Sequence, residues 1–394
     1  MIIVAKKILI IDDSALMRRV ISDIINSGDD YEVAAIAKDG VEGFDLIVSN
    51  PNYYSVVILD INMPKMNGLE LLEKLQKNRI EQTVIIVSTV AKQGAKETIR
   101  ALELGAFDFV TKPENYLETK GNDFKSKIHA MLDVATEGKM KTSSKPLLTL
   151  KSDTVKAAAR DVETIMQQSN TRAMEFRRKT QELNKPVKKF DSSKFSGLKT
   201  GKKKIVAMAC STGGPKSLQQ VIPLLPQQLD APVVLVQHMP PGFTASLASR
   251  LDEMGDISVK EAADGDVLKN GWVYIAPGGQ HLRVVKTAQG HVVKLSNDPA
   301  VDGLRPCANI MYDSLQQCGF DEIICVVLTG MGADGTNGIK GLAANHKNIH
   351  VIAQDEDSCV VYGMPKAIAQ TGLVDEVVSL SQVAEKITKN VGVL

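Results

Sequence analysis

No stretch of this 394-residue sequence approaches the roughly 20 consecutive apolar residues that a membrane-spanning helix needs. An integral membrane segment is therefore not expected. A large net charge is also missing: 47 Lys and Arg face 46 Asp and Glu, a balance that argues neither for nucleic acid nor for acidic lipid as a general partner. Cysteine is scarce. Cys210, Cys307, Cys318, Cys325 and Cys359 are odd in number, form no C-x-x-C pair and all lie in the second half. They read as reduced, mostly buried thiols of a cytoplasmic protein rather than a disulfide framework. The apolar start over 1–11 is interrupted by Asp12 and Asp13, and without a small-residue cleavage site after it the segment does not read as a signal peptide. No repeat of solenoid period is visible. What is present is 44% hydrophobic content over a length suited to two or three domains.

Three stretches of different character follow one another. Over 7–115, short Val/Ile/Leu runs at 7–11, 32–37, 56–60, 84–88 and 107–111 alternate with amphipathic segments. Five βα units of this kind predict a flavodoxin-like, doubly wound parallel sheet. Beyond 116 the strand signals vanish. Val155, Ala159, Val162, Met166, Ser169, Ala173, Phe176, Thr180 and Leu183 alternate spacings of four and three, which predicts a helix over 155–183 with a weak apolar stripe. Lys185, Lys188, Lys189, Lys194, Lys199 and Lys202 to Lys204 come next, opposed only by Asp191. They read as a solvated linker, with a weak patch for nucleic acid or an acidic partner as the alternative; no nucleic-acid partner is expected on balance. From 202 the βα alternation returns, with strand signals at 204–209, 231–236, 272–276, 282–285, 323–328 and 350–354. A hairpin around 286–294 is expected as an insertion in this mostly parallel sheet. The expected segments are 1–124, a long, partly helical linker over 125–201, and 202–394.

In the third segment, Ser211 stands where a buried run ends and a glycine turn begins, Ala209-Cys210-Ser211-Thr212-Gly213-Gly214-Pro215. The helix expected after that turn offers free N–H groups and a positive dipole end. Such a place suits a nucleophile that generates an oxyanion, and it equally suits a bound phosphate. His238 follows a second apolar run and Asp334 a third. The C-terminal ends of strands form the ligand crevice of an open parallel sheet, so a hydroxyl, an imidazole and a carboxylate at three such ends are a sharper signal than any one alone.

The first segment has its own constellation. Asp12 and Asp13 end the first run, Asp60 the third and Ser88 the fourth, and Lys112 precedes Pro113 at the end of the fifth. Crowded carboxylates are costly unless a cation sits among them, and an oxygen-rich, partly solvated cluster suits Mg²⁺. With this pattern the segment resembles the response-regulator receiver family. The resemblance implies Asp60 as phospho-acceptor, with Asp12, Asp13, Asp60 and the Asn62 carbonyl around Mg²⁺. It further implies Ser88, Phe109 and Lys112 as switch residues, and a cis peptide before Pro113.

The third segment resembles the chemotaxis protein-glutamate methylesterase family. The resemblance is carried by Ala209-Cys210-Ser211-Thr212-Gly213-Gly214, Gln237-His238-Met239-Pro240-Pro241-Gly242-Phe243-Thr244, Tyr274-Ile275-Ala276-Pro277-Gly278, Leu328-Thr329-Gly330-Met331-Gly332-Ala333-Asp334-Gly335 and Ser358-Cys359-Val360-Val361-Tyr362-Gly363-Met364-Pro365. It implies Ser211 as nucleophile, His238 as base and Asp334 as orienting carboxylate, with no cofactor for the esterase. Thr212, Gly213, Gly214, Met331 and Arg305 are the expected oxyanion or substrate contacts. Methyl-accepting chemotaxis receptors would be the substrates and a chemotaxis histidine kinase the phosphodonor. The receiver is expected to cover the Ser211 cleft until Asp60 is phosphorylated. His281 competes with His238, and Asp264, Asp266 and Asp302 compete with Asp334. His129, His291, His346 and His350 read as surface residues, and Cys210 as a buried, inert thiol. The run Leu304-Arg305-Pro306-Cys307-Ala308-Asn309 departs from the family's more polar His-Arg-Pro-Ser-x-Asp.

Overall fold

The computed structural model describes residues 5–89, 91–113, 122–140, 201–345 and 348–393. The helix expected over 155–183, the lysines up to Lys199, and His346 lie outside them.

The first sheet has five strands, β1 (Lys6–Ile11), β2 (Tyr31–Ala37), β3 (Val56–Asp60), β4 (Val84–Ser88) and β5 (Asp108–Thr111). They lie in the order β2-β1-β3-β4-β5, every pair parallel. Between them run α1 (Ala15–Ile25), α2 (Gly40–Ser49), α3 (Gly68–Lys77) and α4 (Lys92–Glu103). The helices start where the sequence offers caps: Ser14, Asp39 and Asn67 each accept from a first-turn N–H, and Asn67 closes a capping box with Glu70. β3 and β4 are buried at every residue, as strands covered on both faces must be.

The expected boundary at 124 falls inside a helix, α5 (Asn122–Met140). Phe124, Ile128, Leu132 and Ala135 line its inner face and join Ile8, Ile10, Val56 and Ile58 in one core. Tyr31 donates to Asp133 at 2.6 Å and Lys6 to Thr136 at 2.8 Å. The stripe has helical spacing, but the Lys and Glu around it disguise it as linker.

The second sheet has seven strands: β6 (Lys204–Cys210), β7 (Val233–Gln237), β8 (Ser258–Glu261), β9 (Trp272–Ile275), β12 (Glu322–Val327), β13 (Ile349–Gln354) and β14 (Glu376–Val378). Their order is β14-β13-β12-β6-β7-β9-β8, again parallel throughout. The hairpin is β10 (His281–Thr287) with β11 (Gly290–Ser296), antiparallel in register. It forms a two-stranded sheet of its own instead of an insertion in the parallel one. β8 and β14 escape the sequence reading because short edge strands need no continuous apolar run. The helices are α6 (Gly214–Val221), α7 (Phe243–Met254), α8 (Ala308–Ser314), α9 (Thr336–Asn345), α10 (Met364–Ala369) and α11 (Leu380–Val391).

One apolar cluster runs without a break from the first sheet into the second, from Leu59, Ile86 and Ile99 to Leu218, Phe243 and Leu247. α4 packs against α6 and α7, and the rings of Phe109 and Phe243 stack at 4.7 Å. Among the described residues no helix is long and apolar enough to cross a membrane. All five cysteines are free, and Cys359 is the one not fully buried.

Candidate active site

β6 is the first strand of the second sheet, and the chain winds outward from it on both sides. β7 lies on one flank and β12 on the other, so the end of β6 is a topological switch point, where open α/β sheets bind ligands. Cys210 is in register with Gln237, and the His238 N–H donates to the Cys210 carbonyl at 3.2 Å. Ser211 and His238 are therefore the next residues past the last register pair of adjacent strands, on a single rim. The Ser211 N–H donates to the Thr329 carbonyl beyond β12 at 3.0 Å. A buried side chain, Gln237, ties the rim together. Its Nε2 donates to the carbonyls of Ser211 (3.0 Å) and His238 (3.2 Å), while its Oε1 accepts the Cys210 thiol at 3.0 Å. Thr329 and Gln354, both without solvent exposure, continue this network. The Gln354 Oε1 accepts the Thr329 N–H, and the Thr329 Oγ1 accepts the Val361 N–H. Sequence reading gave Gln237, Thr329 and Gln354 no role, although a polar residue ending a wholly apolar strand is a signal that could have found them.

His238 Nε2 lies 2.8 Å from Asp334 Oδ2. Asp334 also accepts the Ala308 N–H (2.6 Å) on Oδ2, and the Asn309 N–H (3.0 Å), the Gly335 N–H (2.9 Å) and the Cys307 thiol (3.1 Å) on Oδ1. Burial raises its carboxyl, but hydrogen bonding to His238 and the N–H groups outweighs that and holds it at about 2. With Nε2 engaged by the carboxylate, Nδ1 is the imidazole nitrogen left for a proton transfer. Among the described residues Ser211 Oγ has no hydrogen-bond partner. The contacts of a catalytic nucleophile tighten in the Michaelis complex.

The rivals fall away on geometry. His281 has no exposed surface and bonds the Pro299 carbonyl through Nε2 at 3.0 Å. Asp264 pairs with Lys294, Asp266 with Lys260, and Asp302 occupies a loop with φ 50°. Cys210 is fully buried, which raises its thiol well above the ordinary range. The other described histidines are half-buried rather than superficial: His129 bonds the Ile24 carbonyl, His291 that of Cys318, and His350 the Glu376 carboxylate.

Gly213 caps α6 with φ 76°, and a Cβ there would lie 2.5 Å from Val360 Cβ; a glycine is required. The Gly214 N–H already donates to the Ser211 carbonyl at 2.7 Å and the Gly213 N–H faces the Asp108 carboxylate, which leaves Thr212 as the freer N–H group of the turn. Met331 is exposed on the rim. Arg305 is directed elsewhere, donating to the carbonyls of Asn297 and Asp298, so it braces a loop. The turn also meets Asp108 from β5. Burial raises that carboxyl to about 6, against the opposing pull of the Phe109 N–H, the Gly213 N–H and the Thr212 hydroxyl.

The acidic cluster sits at the corresponding edge of the first sheet. Asp12, Asp13 and Asp60 each place a carboxylate oxygen within 4.8 Å of the others. Lys112 Nζ is 3.0 Å from Asp12 and 2.9 Å from Asp60. Burial raises the Asp60 carboxyl, with Lys112 pulling the other way. The residues fit Mg²⁺: a hard-oxygen donor set, one exposed member in Asp13, and a buried Asp12 whose Oδ2 meets no group but the Lys112 ammonium among the described residues. Asn62 turns its amide to Glu97 at 3.0 Å, and Ser88 Oγ donates to the Gly94 carbonyl at 3.3 Å. The bond before Pro113 is not cis; the cis peptide among the described residues is Arg305–Pro306.

Residues 206–387 match the family model described as CheB methylesterase, and residues 8–120 that of the response regulator receiver domain. The protein-glutamate methylesterase/protein-glutamine glutaminase of Bacillus subtilis (strain 168) is 39% identical over 383 residues, 97% of each chain. That of Pyrococcus horikoshii is 37% identical over 389 residues, 98% of this chain and 94% of its own. The crystal structure of the Thermotoga maritima CheB methylesterase catalytic domain is 42% identical, covering 48% of this chain and 99% of that one, with a TM-score of 0.46.

Proposed function

The chain belongs to the protein-glutamate methylesterase/protein-glutamine glutaminase family, and from that premise we propose a phosphorylation-regulated serine hydrolase. It removes methyl groups from glutamate γ-methyl esters of chemoreceptors and deamidates receptor glutamines. The observation that carries the reading is the His238–Asp334 bond of 2.8 Å, beside Ser211 on the neighbouring strand end.

Ser211 Oγ attacks the ester carbonyl while His238 Nδ1 takes its proton, because serine is a weak nucleophile without a base in reach. Asp334 fixes the tautomer and stabilises the imidazolium. The oxyanion forms at the start of α6, next to the Thr212 N–H and, once Asp108 withdraws from it, the Gly213 N–H. Collapse breaks the C–O bond, and His238 returns the proton to the departing methanol. A water, deprotonated by the same imidazole, then hydrolyses the acyl-enzyme to glutamate. Deamidation follows the same course with ammonia as the leaving group.

The receiver regulates this site by covering it. Supporting this are Asp108 against the Thr212–Gly213 turn, Phe109 stacked on Phe243 and Glu103 of α4 paired with Arg250 of α7. Asp60 accepts the phosphoryl group from a chemotaxis histidine kinase, beside the Lys112 ammonium. Asp12, Asp13, Asp60 and Asn62 would hold Mg²⁺, which neutralises phosphoryl oxygens when bound. Ser88 and Phe109 respond to the modification, and Phe109 releases Phe243. Both partners meet the enzyme in the cytoplasm. Methanol release from methylated receptor membranes tests the reading. The wild type releases it, and Ser211→Ala, folded normally, falls by about 10⁶-fold. Undiminished release from that variant rejects the assignment.

A further inference from the structure

Asp334 is held by far more than His238. Its two oxygens take five donors, and three of these come from the consecutive residues Cys307, Ala308 and Asn309 at the start of α8. A carboxylate offers about four lone-pair sites, so this one is saturated. Cys307 is buried, and burial together with the Asp334 charge lifts its thiol to about 12, so it stays a donor at any working pH.

Asn309 does two things at once. Its main-chain N–H points at Asp334 Oδ1, while its side-chain Oδ1 accepts the Gly335 N–H at 3.1 Å and the Gly338 N–H at 2.7 Å. It therefore grips both the carboxylate and the chain that carries it into α9. The two elements meet backbone to backbone: a Cβ at Gly338 would lie 2.7 Å from the Asn309 carbonyl oxygen and 2.9 Å from its Cα. Little slack remains in that joint, so a change at Asn309 passes directly to Asp334. Among the described residues the titratable groups facing Asp334 are His238 from the end of β7, Cys307 from the cap of α8 and Tyr312 from α8 itself. Tyr312 is wholly buried, donating to the carbonyls of Ala207 and Val326. Neither it nor Cys307 brings a second negative charge, and the side chain at 309 is neutral.

We propose that Asn309 is a positioning residue for the hydrolase: its side-chain carbonyl staples the 334–338 turn to α8, aligns Asp334 with His238, and leaves the relay with one negative charge. The proposal rests on the Ser211–His238–Asp334 reading. Its parts separate in two variants. Asn309→Ala removes the staple and keeps the N–H. Asn309→Asp keeps an acceptor of the same shape and adds a charge beside Asp334.

The test measures methanol release from methylated receptor membranes as a function of pH, with full-length protein and Ser211→Ala as control. Asn309→Ala is expected to lose about tenfold in kcat with KM within about twofold, since small misplacements remote from the bond are costly. Asn309→Asp is expected to recover most of that kcat and to move the acidic limb of the profile to higher pH by about half a unit or more, because a second carboxylate favours the imidazolium. The NMR signal of the proton between His238 and Asp334 reports the same alignment without turnover; it is expected to broaden or shift upfield in Asn309→Ala. If Ser211→Ala is inactive while Asn309→Ala matches the wild type in kcat and in that signal, the staple is wrong and the hydrolase reading stands. Equal losses in both variants with an unmoved pH profile reduce Asn309 to a fold-stabilising residue and also overturn the proposal. Activity in Ser211→Ala fails the underlying reading instead.

Discussion

Asp60 and Asp334 occupy matching positions, each just beyond or at the C-terminal end of a parallel strand, each largely buried, yet burial leads to opposite outcomes. Asp60 is raised above the ordinary carboxylate range, whereas Asp334 is lowered to about 2. The difference lies in donors. Asp60 accepts one backbone N–H, from Ile61 at 2.8 Å, and shares its ammonium with Asp12. Asp334 receives three backbone N–H groups, a thiol and an imidazole. A carboxylate short of donors keeps an appetite for a cation or a phosphoryl group; a saturated one serves as a fixed charge for a neighbour. The two rims are built alike and are given different chemistry by the number of N–H groups aimed at one side chain.

The sharpest way to break this contrast is to strip the charge from the saturated carboxylate. Asp334→Asn leaves the shape but turns an amide N–H toward its donors and favours the wrong imidazole tautomer. The expected loss in kcat is about 10⁴-fold, measured as methanol release under saturating substrate. A loss below about tenfold would mean that the fixed charge is not what the second rim supplies. At the first rim the corresponding change acts only through regulation. Asp60→Asn is expected to leave basal release unchanged within about twofold and to abolish its rise on adding a small-molecule phosphodonor. Stimulation that survives in this variant places the phospho-acceptor elsewhere.

A third test joins the two rims through Asp108, whose carboxyl sits at about 6 against the Thr212–Gly213 turn. A carboxyl raised on closing binds more protons closed than open, so the closed arrangement gains as pH falls through 6 and loses as pH rises. Between pH 7.5 and pH 5 the closing equilibrium is expected to shift by up to about tenfold toward closed, beyond any change in the catalytic half alone. Protease accessibility of the covered turn, followed over that range, reads it, and Asp108→Asn is expected to flatten the response. A cleft that opens on acidification contradicts the sign.

How much of this could be read beforehand follows from what leaves a periodic trace. The strands carrying Ser211, His238 and Asp334 to one edge are continuous apolar runs bounded by turns, and register does the rest. The acidic cluster was legible for the same reason. Gln237 and Thr329 left only the faint trace of a polar residue after an apolar run, and Asn309 and Cys307 left none, because they act by meeting Asp334 far away in sequence. Arg305 was expected as a substrate contact from the family's run around it; in the fold it donates to the carbonyls of Asn297 and Asp298, partners that no local pattern announces. The helix α5 was disguised by its charged outer face, and the stacking of Phe109 on Phe243 joins two segments whose patterns are independent.

The smallest expected effect concerns the outer edge of that junction. Arg250 of α7 pairs with Glu103 of α4, but the arginine side chain is 38% exposed and also reaches Glu253. An ion pair so open to water contributes about 0.2–1 kcal/mol, a factor of at most about five in an equilibrium. The Phe109–Phe243 stack lies inside, where an aromatic pair adds about 0.5–1.5 kcal/mol beyond the area it buries. Arg250→Ala should therefore raise basal, unphosphorylated release by no more than about fivefold, and the gain should fade at high salt as screening weakens the wild-type pair. Phe243→Ala, which removes apolar contact instead of charge, should raise it further and keep its gain at any ionic strength. If the arginine variant has the larger effect and resists salt, the receiver is held by charge at its rim, and the apolar seam through Phe109 is not what couples the two sheets.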